Sequence, residues 1–235
     1  MGELTLNIRR KVQPGELVDI SQKDRENISE LDFELPDTVI VKSLSGTFIG
    51  QFRWESGNVR LLICDRSKDD TTLPIVLLQS IPEPQNRFSR ILEGCIELGV
   101  EFLIPLDTYY DKPVNDLQKL INATIADSSK QSMTDTPTDI SEIMSLDKID
   151  WSQFNTTNKI CLSTEPVNTI RLSEAISIDK PHLIAIGPPR GWHSSEIEYF
   201  KDHGFHFVNL RSNILRTDTA GVVVSSIIKY IQGEL

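Results

Sequence analysis

The stretch "LIAIGPPRGWHSSEIEYFKDHGFHFVNLRSNILRTDTAGVVVSSII", residues 183–228, decides the fold. It opens on a greasy strand that ends at Gly187. Two prolines and an arginine follow, then "SSEIEYFKDHG", which reads as a helix with a capping serine and a stop at Gly204. "FHFVNL" is a second strand. "TDTAGVVVSSIIKYIQ" (217–232) reads as a closing helix, although Gly221 and the valines lower its local propensity. A strand–Gly loop–helix junction is a common setting for a nucleotide or cofactor site. Here Pro188 and Pro189 have no N–H to offer, and Arg190 is bulky.

The same alternation extends upstream. "LPIVLLQSI" is a buried strand, and "QNRFSRILEGCIELG" (85–99) is a helix with a Gly99 stop. "VEFLIPLDT" is a strand, and "VNDLQKLINATIADSSKQ" (114–131) a helix. "SMTDTPTDISEIMS" holds a turn and a short helix capped near Thr138, "NKICLST" (158–164) a strand, and "RLSEAIS" a short helical piece. Strands alternating with helices imply a parallel sheet covered on both faces. Ligands bind such sheets beyond the carboxyl ends of the strands. That rule brings three loops together: Leu162–Glu165, Gly187–Trp192 and Leu210–Thr217.

Residues 1–70 have a different grammar. "TVIVKSLSGTFIGQFRWESGNVRLLICD" alternates β-branched and aromatic residues, with hairpin signals at Ser45-Gly46 and Ser56-Gly57. "SQKDRENISEL" (21–31) reads as a short helix capped by Ser21. A small β-barrel domain over 1–70, a polar linker "DRSKDDTTLP" (65–74) and an α/β domain over 71–235 are expected.

The chain has 235 residues and a net charge of −10, which argues against strong non-specific nucleic-acid binding but leaves room for a local basic patch such as Ile8 to Lys11. No apolar run is long enough to span a bilayer, and the start lacks a signal-peptide core, so a cytoplasmic protein with no membrane partner is expected. Cys64, Cys95 and Cys161 lie apart in apolar runs and read as buried thiols. The four histidines make no metal spacing with them. Walker, GxGxxG, GxSxG and HExxH motifs are absent, which removes most familiar enzyme classes.

The quoted stretch resembles the C-terminal signature of the RsmE family, the ribosomal-RNA uridine-N3 methyltransferases. The family's strand ends in Ile-Gly-Pro-Glu-Gly-Gly-Phe, before a Ser-x-x-Glu helix and Leu-Gly-x-Arg-Ile-Leu-Arg-Thr-Glu-Thr-Ala. Ile186, Gly187, Pro188, Gly191, Glu196, Gly204, Leu210, Ile214, Leu215, Arg216, Thr217, Thr219 and Ala220 match it. Trp192 stands for Phe and Asp218 for Glu. "RILEGCIELGVEFLIPLDT" and "SKQS" (129–132) are similar to further family segments. The resemblance implies a knotted SPOUT α/β domain preceded by a PUA-like RNA-binding barrel. It implies S-adenosylmethionine bent into the knot, a homodimer, and a substrate in small-subunit ribosomal RNA or the 30S particle. The cofactor residues it implies are Leu162, Ser163, Thr164, Ile186, Gly187, Pro188, Arg190, Gly191, Leu210, Ile214, Leu215, Thr219 and Ala220, with Arg216 contacting uracil or phosphate. Asp218 and Glu165 remain alternatives for assisting deprotonation.

The sequence departs from the family where function would lie. Family Glu and Gly become Pro189 and Arg190, and Arg190 either collides with the cofactor or grips its carboxylate. A family Gly and Arg become Arg211 and Asn213, family lysines become Glu83 and Gly94, and Gly-Arg becomes Met133-Thr134. "ELDFEL" (30–35) replaces a basic segment. The second function class is therefore a divergent SPOUT dimer without catalysis, serving as an RNA- or protein-binding assembly factor.

Overall fold

The computed structural model describes residues 4–20, 25, 28, 37–55, 58–67, 73–84, 86–112, 117, 119–124, 138–165, 169–210 and 214–235. The chain divides into two compact units, 1–72 and 73–235.

The first unit is a curled five-stranded sheet in the order β1-β3-β4-β5-β2. Its strands are β1 (Thr5–Ile8), β2 (Leu17–Asp19), β3 (Val39–Ser43), β4 (Gly46–Glu55) and β5 (Asn58–Arg66). β1 and β3 run parallel; the other pairs are antiparallel. Both expected hairpins form: Ser43 pairs with Gly46, and Glu55 with Asn58 across residues 56 and 57. Alternate residues Val39, Val41, Phe48, Leu61 and Ile63 fill the core. The register shifts at Ile49/Gly50. A Cβ on Gly50 would lie 2.8 Å from Val41 and 2.9 Å from Leu61, so the bend needs glycine. The expected linker begins later than its polar composition suggests, because Asp65 and Arg66 still pair within β5. Apart from Arg25 and Ile28, the expected helix over 21–31 lies outside the described residues.

The second unit is a six-stranded sheet in the order β11-β9-β10-β6-β7-β8, parallel throughout. β6 (Ile75–Ser80) and β10 (His182–Ile186) are central and buried along their whole length, as near-continuous apolar runs require. β7 (Phe102–Leu106), β8 (Asp139–Ile140), β9 (Asn158–Leu162) and β11 (His206–Val208) complete it. The short helix expected near Thr138 is not formed. Asp139 and Ile140 instead pair with Phe102 and Leu103 as an edge strand, and helical turns come later, at Leu146–Lys148 and Trp151–Phe154. Of the helix expected over 114–131, Leu117 and 119–124 are helical and the rest lies outside the described residues.

The remaining helices are α1 (Asn86–Glu97), α2 (Leu172–Ala175), α3 (Ser194–Asp202) and α4 (Thr217–Gln232). α1 and α4 share one core with Ile75, Leu77, Ile184 and Ile186 of the central strands. Their approach is set by small residues. A Cβ on Gly221 would sit 3.0 Å from Gln79 and 3.1 Å from Leu77, and one on Gly94 2.6 Å from Val222. Gly221, which weakens α4 by propensity, is what lets α4 lie on the sheet. α3 is capped by His193 and not by a serine. The His193 ring accepts from Ser195 N at 3.3 Å, while Glu196 accepts from His193 N at 2.8 Å.

Lys229, buried in α4, pairs with Glu234 at 2.6 Å and Glu101 at 3.4 Å. Burial pushes its pKa down, but the two carboxylates outweigh that and hold it above its ordinary value. Lys229→Ala would leave two carboxylates buried without their cation. Urea denaturation is expected to show a loss of about 3–5 kcal/mol. His182 is fully buried, its Nε2 accepting from Ser177 N at 3.3 Å. Burial pushes its pKa from 6.5 to about 4. The unfolded chain binds this proton first, so stability falls as pH drops through that window, by roughly 3 kcal/mol. His182→Gln is expected to flatten the stability–pH curve between pH 6.5 and 4. An unchanged slope would remove His182 as its source.

Candidate functional site

The carboxyl ends of β9, β10 and β11 meet the start of α4 around one cavity of about 510 Å³. All three loops singled out in the sequence contribute to it. From β9 come Leu162, Ser163 and Thr164. From β10 come Ile186, Gly187, Pro188, Pro189, Gly191 and Trp192. From β11 and the segment after it come Val208, Asn209, Leu210, Ile214 and Leu215, leading to Arg216, Thr217, Asp218 and Ala220 on α4.

Hydrogen bonds lock these loops to one another. Trp192 Nε1 donates to the Leu162 carbonyl at 2.9 Å, tying the β10 loop to the end of β9. The indole lies over Gly187, where a Cβ would be 2.9 Å from its ring. Thr217 Oγ1 donates to the Gly187 carbonyl at 3.0 Å, tying α4 to the same glycine. Ser163 N donates to the Val208 carbonyl at 3.0 Å, and Asn209 Nδ2 to the Ser163 carbonyl at 3.3 Å. Gly187 thus serves as the meeting point of three elements, which explains why no larger residue fits there.

The two altered loop residues have a definite place. Gly191 N donates to the Pro188 carbonyl at 2.8 Å, closing a turn with Pro189 and Arg190 at its centre. Proline suits the first central position of such a turn, where its N–H is not needed. Gly191 takes φ +79°, and a Cβ there would press on Glu165 at 3.2 Å. Arg190 is exposed and does not line the cavity. Thr219 is also exposed and lies outside the lining.

Arg216 is the N-cap residue of α4, but its side chain makes no capping hydrogen bond and is exposed at the rim. Asp218 follows in the first helical turn. Its Oδ1 is buried in the cavity wall and has no hydrogen-bond partner among the described residues. Glu165 does not line the cavity.

Arg87, in the first turn of α1, also lines the cavity and escapes a reading confined to motif positions. The sequence places a family lysine at Glu83, so a basic residue appears lost. Arg87 stands four residues further on, but α1 begins only at Asn86, so no helical spacing links the two and the sequence carries no direct signal for it. Pro82, also in the lining, likewise lies outside the three loops read from the sequence. Among the described residues no cluster could hold a metal ion, and no helix is long and apolar enough to cross a membrane. Cys95 and Cys161 are buried free thiols, and burial pushes Cys95 up to about 12; Cys64 is only half-buried.

Comparison with solved structures shows the same fold over most of the chain. A ribosomal RNA small subunit methyltransferase E of Neisseria gonorrhoeae, bound to S-adenosylmethionine, is 20% identical, with 98% of each chain covered and a TM-score of 0.59. A protein of Legionella pneumophila in complex with the same cofactor gives 20% identity, 98% of each chain and 0.59. A probable rRNA-methyltransferase of Porphyromonas gingivalis gives 18% identity, 88% and 90% coverage, and 0.62. No curated protein matches by sequence. The sequence profile of the RNA methyltransferase domain matches residues 69–229, which takes in the whole six-stranded sheet, α1 to α3, α4 up to Lys229 and every residue of the cavity lining. The chain belongs to the RNA methyltransferase domain family.

Proposed function

We propose that the chain is an S-adenosylmethionine-dependent RNA methyltransferase of RsmE type, acting on N3 of a uridine in small-subunit ribosomal RNA. The observation that carries this reading is the intact cavity: three loop ends and the start of α4 converge on about 510 Å³, a volume suited to a cofactor. The residues fit the group. Leu162, Ile186, Leu215 and Ala220 supply apolar walls, and the Trp192 indole packs over Gly187 behind them. Loop backbone from Leu162–Thr164 and Gly187–Gly191 would hold the adenosyl part.

When bound, S-adenosylmethionine supplies an electrophilic methyl group. The chain must then position a uracil and manage its proton and charge. Asp218, which lines the cavity at the start of α4, is the residue we assign to accept the N3 proton. Arg216, beside the positive end of α4, stabilises the negative charge that develops on the base. The curled β unit over 1–72 is the part we assign to RNA binding. Ile227, Tyr230 and Ile231 are exposed at helical spacing on α4, an apolar stripe that we assign to a second copy in a homodimer. We place the protein in the cytoplasm. The non-catalytic alternative rests on the changed loop and on the lost basic residues; against it, the two changed loop residues are exposed and Arg190 lies outside the lining.

Calorimetry is expected to show S-adenosylmethionine binding, and tritiated-methyl transfer should label small subunits lacking the modification. No heat at millimolar cofactor would sink the reading. Arg216→Ala is expected to lower methyl transfer by roughly 10²-fold while cofactor affinity changes little. The double change Pro189→Glu with Arg190→Gly alters two exposed turn residues, of which only Pro189 lines the cavity. It is expected to move cofactor affinity by no more than about threefold. A large gain would show instead that this turn obstructs the site.

A further inference from the structure

Beyond the cavity, one group of side chains at the same edge of the sheet has no role in the chemistry above. Tyr109 and Tyr110 follow the carboxyl end of β7 and are 58% and 40% exposed, unusual for paired large aromatics. They are held in place. The Tyr109 ring stacks on His193, centroids 3.8 Å apart and planes 12° apart. Tyr110 stands edge-on to Tyr109 at 5.1 Å and 84°. Tyr109 N donates to Glu196 Oε1 at 2.9 Å, and the other oxygen of Glu196 takes His193 N at 2.8 Å. One carboxylate therefore fixes both stacked residues to the start of α3.

The shelf adjoins the cavity. His193 directly follows Trp192, a lining residue, and Arg190 precedes it in the same loop. Arg190 also acts on Asp111, next to Tyr110: burial, Glu83 and Glu196 push that carboxyl up, and Arg190 pulls it down. The β6–α1 loop, the β7 loop and the β10–α3 loop thus share one neighbourhood. Glu196 is already satisfied by two N–H donors, which leaves ring faces and Arg190 as the shelf's offer to a ligand.

We propose that Tyr109 and Tyr110, backed by His193, form a stacking shelf for a nucleotide of single-stranded RNA adjoining the one that enters the cavity. Aromatic faces take any base, and an arginine alongside suits the phosphate. The inference rests on the methyltransferase reading for its substrate class, and it adds a binding site separate from the cavity.

The test uses the full chain and a short oligouridylate, with affinity read by fluorescence anisotropy. Tyr109→Ala and Tyr110→Ala are each expected to weaken RNA binding roughly tenfold. Tyr109→Phe and Tyr110→Phe, which keep the ring, should bind as the parent does. Cofactor affinity by calorimetry should stay at the parent value in all four. On small subunits the alanine variants should raise KM with kcat little changed. The shelf is overturned if the alanine variants bind RNA like the parent, or if the parent has no measurable affinity for oligouridylate. It is overturned equally if the phenylalanine variants lose as much as alanine, or if RNA and cofactor binding fall together. A parent that binds RNA through these rings yet neither binds cofactor nor transfers methyl would sink the methyltransferase reading and leave the shelf standing.

Discussion

The close approach of α4 to the central strands is the constraint on which the second unit depends. The sheet face offers Leu77, Gln79 and Ile186, and α4 meets it through Gly221. A Cβ at 221 would force Gln79 and Leu77, or the helix itself, to give by a few tenths of an ångström. The first turn of that helix carries Thr217, Asp218 and Ala220, and the residue before it is Arg216. The height of the helix over the sheet therefore fixes where the groups of the site stand. Thr217 then bonds back to Gly187, so packing and site share a single anchor. Behind the site, Lys229 clamps the far end of the same helix to Glu101, just before β7.

This arrangement explains how the site is built from residues far apart in sequence. The sheet order sets β10 between β9 and β6, and β11 beyond β9. The chain leaves β11 on one side of β9 and next packs, as α4, against the strands on the other. It thus passes the carboxyl ends of β9 and β10, the place where an open parallel sheet binds ligands. The passing segment supplies Leu210, Leu215 and Arg216 to the cavity, and the strand ends supply the rest.

Much of this was legible in the residues. Apolar runs marked β6 and β10, and apolar periodicity ending at Gly233 marked α4, because buried strands and helix stops leave strong local signals. The three loops were legible because one topological rule covers them all. What escaped was decided by geometry with no local signature. Asp139 and Ile140 read as the entry to a helix but were taken up by an open sheet edge beside Phe102. Histidine rarely leads lists of capping residues, yet His193 caps α3 because its ring is also held by Tyr109. Arg190 holds a motif position that the resemblance ties to the cofactor. Position along a loop does not say which way a side chain faces, and the turn at Pro188–Gly191 sends it outward.

That turn has a further consequence, for the entropy of recognition. Two adjoining prolines and a closing hydrogen bond leave the loop few conformations to lose, whether the chain folds or a ligand arrives. Binding at this rim then carries a small ordering penalty, and affinity follows from contacts already in place. The two prolines restrict the wall of the cavity that they form. Adaptation to different ligands falls to the other parts of the rim.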